Sequence, residues 1–141
     1  MTKAIPEGMH TITPILNLQG AADAVEFYKQ AFGAEVIRTI QTPDGIVRNA
    51  ALKIGDSQFF IEEAVKNRPT QSSFVLYFED VDAVWARAVA AGAIVEAPLT
   101  LKFWGDRWGL VRDRWNNNWG LATRVEDVSP EEMRKRIAAA T

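Results

Sequence analysis

The chain has 141 residues, 48% hydrophobic and 24% charged, with a net charge of −2, a composition that fits one soluble domain or two small modules sharing a core. That charge supplies no basic field for nucleic acid, and the absence of cysteine excludes disulfides, a thiol nucleophile and thiolate metal sites. The lead-in Met1–Met9 lacks the apolar run of a signal peptide and no segment is apolar enough to span a bilayer, so a cytoplasmic protein without a membrane partner is expected.

In chain order, His10–Leu18 predicts a strand with Ile12, Leu16 and Leu18 on one face and Thr11, Thr13, Ile15 and Asn17 on the other; Pro14 assigns it to an edge. Ala21–Phe32 predicts a helix with the apolar stripe Ala21, Val25, Tyr28 and Phe32, stopped by Gly33. Strands come next at Glu35–Thr42, Ile46–Ile54 and Ser57–Glu63, separated by the turn signals Pro43-Asp44-Gly45 and Gly55-Asp56. The polar segment Ala64–Gln71 reads as a linker. Ser72–Glu79 predicts the next strand, and Asp80 caps a helix through Ala91 with the stripe Val81, Val84, Trp85 and Ala88. After Gly92, strands are expected at Ile94–Leu101, Trp108–Arg112 and Trp119–Val125. Ser129-Pro130-Glu131-Glu132 then opens a third helix as a capping box. Met133 and Ile137 are expected to dock it, with Arg134, Lys135 and Arg136 as a solvated cationic end.

The order βαβββ thus occurs twice, and the residues repeat with it. A shift of 59 positions lays Asp23-Ala24-Val25 on Asp82-Ala83-Val84, Gly33-Ala34 on Gly92-Ala93 and Val36 on Val95. Four of the five Trp residues, at 104, 108, 115 and 119, fall in the last stretch of the second copy, with Arg107, Arg112 and Arg114. Trp with Arg suits a flat or anionic partner, although any single Trp is more often core. Trp119 shares a face with Leu121 and is expected inside.

The stretches HTITPILNLQGAADAVEFYKQAFGAEV, LYFEDVDAVWARAVAAGA, WGDRWGLVRDRW and WGLATRVEDVSPEEM together resemble the vicinal oxygen chelate superfamily, which holds the glyoxalases, bleomycin resistance proteins and dioxygenases, and most closely its PhnB-like glyoxalase-related proteins. The resemblance covers nearly the whole chain. It implies a single α+β domain of two tandem βαβββ modules, residues 9–64 and 72–125, with curved mixed or antiparallel sheets and a C-terminal helix at 130–140. Each module would curl its sheet round half of a cavity, and a homodimer is implied. The superfamily includes metal-dependent lyases, isomerases and dioxygenases as well as metal-free drug-binding proteins, so the contents of the cavity decide the function.

Strand alternation assigns those contents. Thr13, Ile15 and Asn17 are expected toward the cavity from the first strand, Gln58, Phe60 and Glu62 from the fourth, Ser73, Val75 and Tyr77 from the fifth, and Gly120, Ala122 and Arg124 from the last. The family's metal-dependent members place one His, Gln or Glu near the start of each module's first strand and one on its last. The matching positions here are Thr13, Ser73, Gly120 and either Phe60 or Glu62. At most one strong ligand remains, so no metal and no other cofactor is expected. His10, the only histidine, alternates away from the cavity. Glu62 is the one weak candidate for a catalytic base, against the plainer expectation of a pairing with Arg124 or another arginine. At the mouth, Trp104 and Trp108 are expected with Arg107 between them and turns at Gly105 and Gly109 setting their aim. The Asp113–Trp119 hairpin departs from the family's Asp-Pro-x-Gly pattern; Asn116 is expected to take the left-handed conformation and the tip to be a Trp/Asn/Arg surface. Two readings result: a metal-free protein sequestering a small, partly aromatic antibiotic or metabolite, and a glyoxalase-like lyase or isomerase using Glu62.

Overall fold

Strong turn glycines and two amphipathic helices give the chain the order β1 (Ile15–Leu18), α1 (Ala21–Phe32), β2 (Glu35–Gln41), β3 (Val47–Ile54), β4 (Ser57–Glu63), β5 (Ser73–Tyr77), α2 (Val81–Ala90), β6 (Ile94–Leu101), β7 (Asp106–Arg112), β8 (Asn118–Arg124) and α3 (Pro130–Ala140). The computed structural model describes residues 2–64 and 68–140. It divides into two units, Met1–Ser72 and Ser73–Thr141. Each holds a four-stranded mixed sheet, ordered β1-β4-β3-β2 in the first and β5-β8-β7-β6 in the second. The architecture is the expected α+β pair of βαβββ modules followed by a helix. No helix among the described residues is long and apolar enough to cross a membrane.

In the first unit β1 runs parallel to β4, pairing Leu16 with Ile61 and Asn17 with Glu62. Leu16, Leu18, Leu52, Phe59 and Ile61 are buried on one face with Val25, Tyr28 and Phe32 of α1; Tyr28 meets Phe59 edge-on at 6.1 Å. Gly20 takes the N-cap of α1 in the left-handed region, so it has no side chain to cap with. The Glu63 carboxylate supplies the cap instead, accepting from Gly20 N at 3.0 Å and Ala21 N at 3.0 Å, where the helix dipole favours negative charge. At the other end Gly33 adopts φ 69, and the helix closes with Gly33 N donating to Lys29 O and Ala34 N to Tyr28 O.

In the second unit β5 runs parallel to β8, pairing Val75 with Gly120 and Tyr77 with Ala122. Asp80 caps α2, accepting from Ala83 N at 3.3 Å, and Thr123 Oγ1 accepts from Val81 N at 3.0 Å. Pro98 sits in β6, an edge strand, within the register shift between Ala97 and Thr100, where its missing amide costs no ladder bond. The core side carries Val81, Ala88, Val111, Trp119 and Leu121; Phe74 lies 4.8 Å from Trp119, which is 2% exposed as its alternation requires.

Several boundaries differ from the sequence reading. The first strand begins at Ile15, not His10, because Met9 N bonds Pro6 O and Thr13 Oγ1 bonds His10 O, so the lead-in turns back on itself. Ile12, expected under the helix, is 85% exposed. β7 begins two residues earlier than expected, at Asp106, which pairs with Arg124. Part of the expected linker, residues 65–67, lies outside the described residues; Thr70 is tied to β1 through its amide to Asn17 O at 2.9 Å. α3 has the expected cap, with Ser129 Oγ accepting from Glu132 N at 3.1 Å. Ile137, expected to dock, is 45% exposed. Arg136 anchors the helix instead of forming part of a solvated end, donating to Phe103 O at 2.9 Å and pairing with Glu126 and Glu132. A charge reaching back to a loop carbonyl does what the short apolar stripe cannot.

Candidate functional site

The face of the second unit's sheet turned away from α2 carries Ser73, Val75 and Tyr77 of β5, Asn118, Gly120, Ala122 and Arg124 of β8, and Asp106, Trp108 and Leu110 of β7. Val75 and Tyr77 are 52% and 57% exposed, so this face is open. A pocket of about 250 Å³ lies on it, lined by Ser73, Phe74, Val75, Trp108, Leu110, Asn118 and Gly120. Gly120 makes room for the Trp108 side chain. A Cβ at that position would stand 2.7 Å from Trp108 Nε1 and 3.3 Å from Val75 Cγ2, so the Trp108 indole lies across the glycine.

Asp106 organises the wall behind Trp108. It is 1% exposed, and it accepts from Tyr77 Oη at 2.9 Å, Trp104 Nε1 at 2.9 Å and Arg124 Nε at 3.3 Å. A buried carboxylate needs such donors. The hydrogen bond to Asp106 raises the Tyr77 hydroxyl above its ordinary value of 10.0, and the same carboxylate raises the Arg124 guanidinium. Trp104 meets Trp108 edge-on with ring centroids 5.9 Å apart and Phe103 at 5.1 Å, while Lys102 Nζ lies 5.6 Å from the Trp108 ring centroid. Asp106 and Lys102 were missed by the sequence reading, which began β7 at Trp108. Extending the period of two back by one pair would have placed Asp106 beside Trp108.

The β7–β8 hairpin sets the register that brings Asn118 and Gly120 to the pocket. Asn116 takes φ 66, the conformation expected in place of glycine. Asp113, 1% exposed, gathers Trp115 N at 2.9 Å, Asn117 N at 3.0 Å, Asn117 Nδ2 at 3.2 Å and Trp119 Nε1 at 2.9 Å. The tip is therefore not wholly a surface: Asn117 is fully buried, and its polar groups are bonded, which is why burial is tolerated.

On the first unit, the face away from α1 brings Asn17, Gln58, Phe60 and Glu62 together with Arg38 and Asn49. Asn49 Nδ2 donates to Glu62 Oε1 at 3.4 Å, Arg38 Nη2 donates to Asn49 Oδ1 at 3.3 Å, and the Arg38 guanidinium lies 5.6 Å from the Phe60 ring. Glu62 is therefore approached by an amide rather than by Arg124, which is held by Asp106. Asn17 Oδ1 is buried without a hydrogen-bond partner. Gln58 is hemmed in by the lead-in at Gly8, which has φ 78 and no room for a Cβ against the glutamine side chain.

Three expected site residues lie elsewhere. Thr13 precedes β1, and its hydroxyl is turned into the lead-in, 3.3 Å from His10 O and 4.0 Å from Met9 Sδ. Arg107 is on the opposite face of β7 from Trp108, bound to Asp82 of α2 through Nε at 2.9 Å and Nη2 at 2.7 Å; alternation in a strand that includes both forbids a position between two cavity-facing indoles. Gly109 is no turn at the mouth. It lies within β7 under the Trp85 ring, where a Cβ would stand 2.5 Å from Cζ3. Gly105 is a true turn, with φ 102. His10 is exposed.

The family model of the Glyoxalase/Bleomycin resistance protein/Dioxygenase superfamily matches residues 9–121. The chain belongs to this superfamily. An uncharacterized protein of Mycobacterium bovis is 31% identical over 140 residues, covering 91% of this chain and 92% of that protein. Among solved structures, TioX from Micromonospora sp. ML1 superposes with a TM-score of 0.69 at 25% identity, over 81% of this chain and 99% of TioX. TnmS3, an antibiotic binding protein from Streptomyces sp. CB03234, superposes with a TM-score of 0.66 at 22% identity, over 87% of this chain and 99% of TnmS3; at that identity the likeness is one of fold.

The superfamily's metal-dependent members set the test for a metal. The positions that the resemblance matches to their ligands, Thr13, Ser73, Gly120 and Phe60 or Glu62, offer at most one strong ligand, a donor set that does not fit a divalent transition metal. Thr13 is spent in the lead-in turn, and Gly120, which has no donor, is covered by an indole. Among the described residues no three of His, Asp and Glu converge as a metal-binding group.

Proposed function

We propose that this superfamily member is a metal-free binding protein for a small, partly aromatic molecule, an antibiotic or a metabolite. The observation that carries the reading is the Trp108 pocket: an open, mostly apolar recess whose wall is an indole and whose floor is a glycine. Aromatic walls with a few polar groups are what small-molecule sites are made of. Ser73, Tyr77, Trp104, Trp108 and Gly120 form the binding set on the second unit, and Asn17, Gln58, Phe60 and Glu62 that on the first. In this reading the two units act as one domain and the protein is a homodimer, as the family resemblance implies.

A thermal-shift screen of antibiotics and dicarbonyls against the chain, before and after chelation, tests the proposal. Binding should raise the melting temperature equally in both arms, and Trp108→Ala should abolish the shift while the variant keeps its fold by circular dichroism. A hit that needs a stoichiometric metal, or that is turned over and loses turnover in Glu62→Gln with binding retained, would replace it with the lyase or isomerase reading.

A further inference from the structure

We infer that the ligand of the Trp108 pocket is a planar, uncharged ring system bearing a carbonyl-type acceptor, and that the Trp108 indole N–H is the group that reads this acceptor. The inference rests on the binding role proposed above and narrows it to a chemical class.

Three observations lead there. The first is shape. The Trp108 indole packs directly on Gly120, where a Cβ would come within 2.7 Å of Nε1, and the same indole lines the pocket beside Val75 and Leu110. An indole wall in an open, mostly apolar recess suits a flat aromatic body.

The second is charge. None of the residues lining the pocket is ionisable. Asp106 behind it is already matched by Tyr77, Trp104 and Arg124. Lys102 is 5.6 Å from the Trp108 ring centroid, placed against the indole and not among the lining residues. A charged ligand would leave water without a counter-charge inside the recess.

The third is hydrogen-bond accounting. Among the described residues nothing accepts from Trp108 Nε1, and it is not one of the fully enclosed unsatisfied atoms, so part of it stays open. Its neighbours in the pocket, the Ser73 hydroxyl and the Asn118 amide, likewise have no side-chain partner among the described residues. An indole N–H only donates. The ligand must therefore bring the acceptor, and one that lacks it leaves the donor stranded.

Coumarin, naphthalene and coumarin-3-carboxylate are flat bicyclic probes that vary the acceptor and the charge. Titrations of the ¹⁵N-labelled full chain follow the Trp108 indole resonance, assigned through its own contacts to Val75. Coumarin should move the Nε1–H proton downfield. Trp108→Phe, which keeps an aromatic wall and loses the donor, should weaken coumarin about tenfold, the worth of one good hydrogen bond. Naphthalene should bind more weakly than coumarin and equally to both proteins. Equal affinity for coumarin and naphthalene at Trp108, unchanged in Trp108→Phe, overturns the acceptor reading and leaves the binding pocket standing. Tighter binding of the carboxylate than of coumarin overturns the uncharged class. No shift of the Trp108 resonance with any probe at millimolar concentration overturns this inference together with the proposed pocket. The resonance shift in the unmodified chain decides the matter even if Trp108→Phe does not fold.

Discussion

Asp113→Ala should be among the most damaging single substitutions in the second unit. The carboxylate accepts from Trp119 Nε1, Asn117 Nδ2 and the amides of Trp115 and Asn117. Trp119 is 2% exposed and Asn117 fully buried, so neither side chain can turn to water when the acceptor goes. Stranding buried donors costs about 1–3 kcal/mol each, and with partial relaxation of the hairpin a loss of about 3–4 kcal/mol is expected. A double-mutant cycle isolates the cause. Trp119→Phe removes the indole donor, and its coupling to Asp113→Ala should be about 1.5–3 kcal/mol, the range for a hydrogen bond to a charged acceptor. Urea unfolding of the parent, both single variants and the double variant measures it. Coupling below about 0.5 kcal/mol, within ordinary additivity, would refute the claim that the buried carboxylate stabilises the hairpin by receiving the indole.

Gly109→Ala should destabilise the second unit by about 1–3 kcal/mol, since the new methyl meets Trp85 Cζ3 at 2.5 Å and the Leu99 backbone at 3.0 Å; an unchanged urea midpoint would show that Trp85 does not rest there. Tyr77 should ionise above its ordinary value of 10.0 because its hydroxyl donates to Asp106. A raised pKa stabilises below the unfolded value and the contribution is lost as pH rises through the folded one, so the phenolate absorbance missing from Tyr77→Phe should lie on the alkaline side, and Asp106→Asn should bring it back down. The hydrogen bond from Arg136 lowers Glu126 below its ordinary value of 4.5. That contribution is complete above the unfolded value and is lost as pH falls through the folded one. Acid should therefore loosen α3, seen as a shift of the Met133 methyl resonance, and Arg136→Ala should produce the same shift at neutral pH.

Local periodicity and the placement of glycines already settle most of the elements in the sequence. α1 lies at Ala21–Phe32 because its apolar stripe and the Gly33 stop leave no other register, and β4 and β6 carry the limits that their alternation and turn signals imply. The repeat at 59 positions held because Gly33 and Gly92 each need positive φ. Trp119 read correctly as core for the same local reason, a shared face with Leu121. Features that depend on a partner distant in sequence needed the tertiary structure. β7 starts at Asp106 because Arg124 pairs with it across the sheet, and that one extra pair turns Asp106 into the hub for Tyr77 and Trp104. Arg107 faces the helix because β7, once it starts at Asp106, alternates it against Trp108, and Asp82 receives it there. Gly120 became the floor of a pocket because the Trp108 indole lies over it. Alternation states which face a residue shares; which side chain crosses that face to meet it is fixed by packing, and packing is not written in any single stretch of chain.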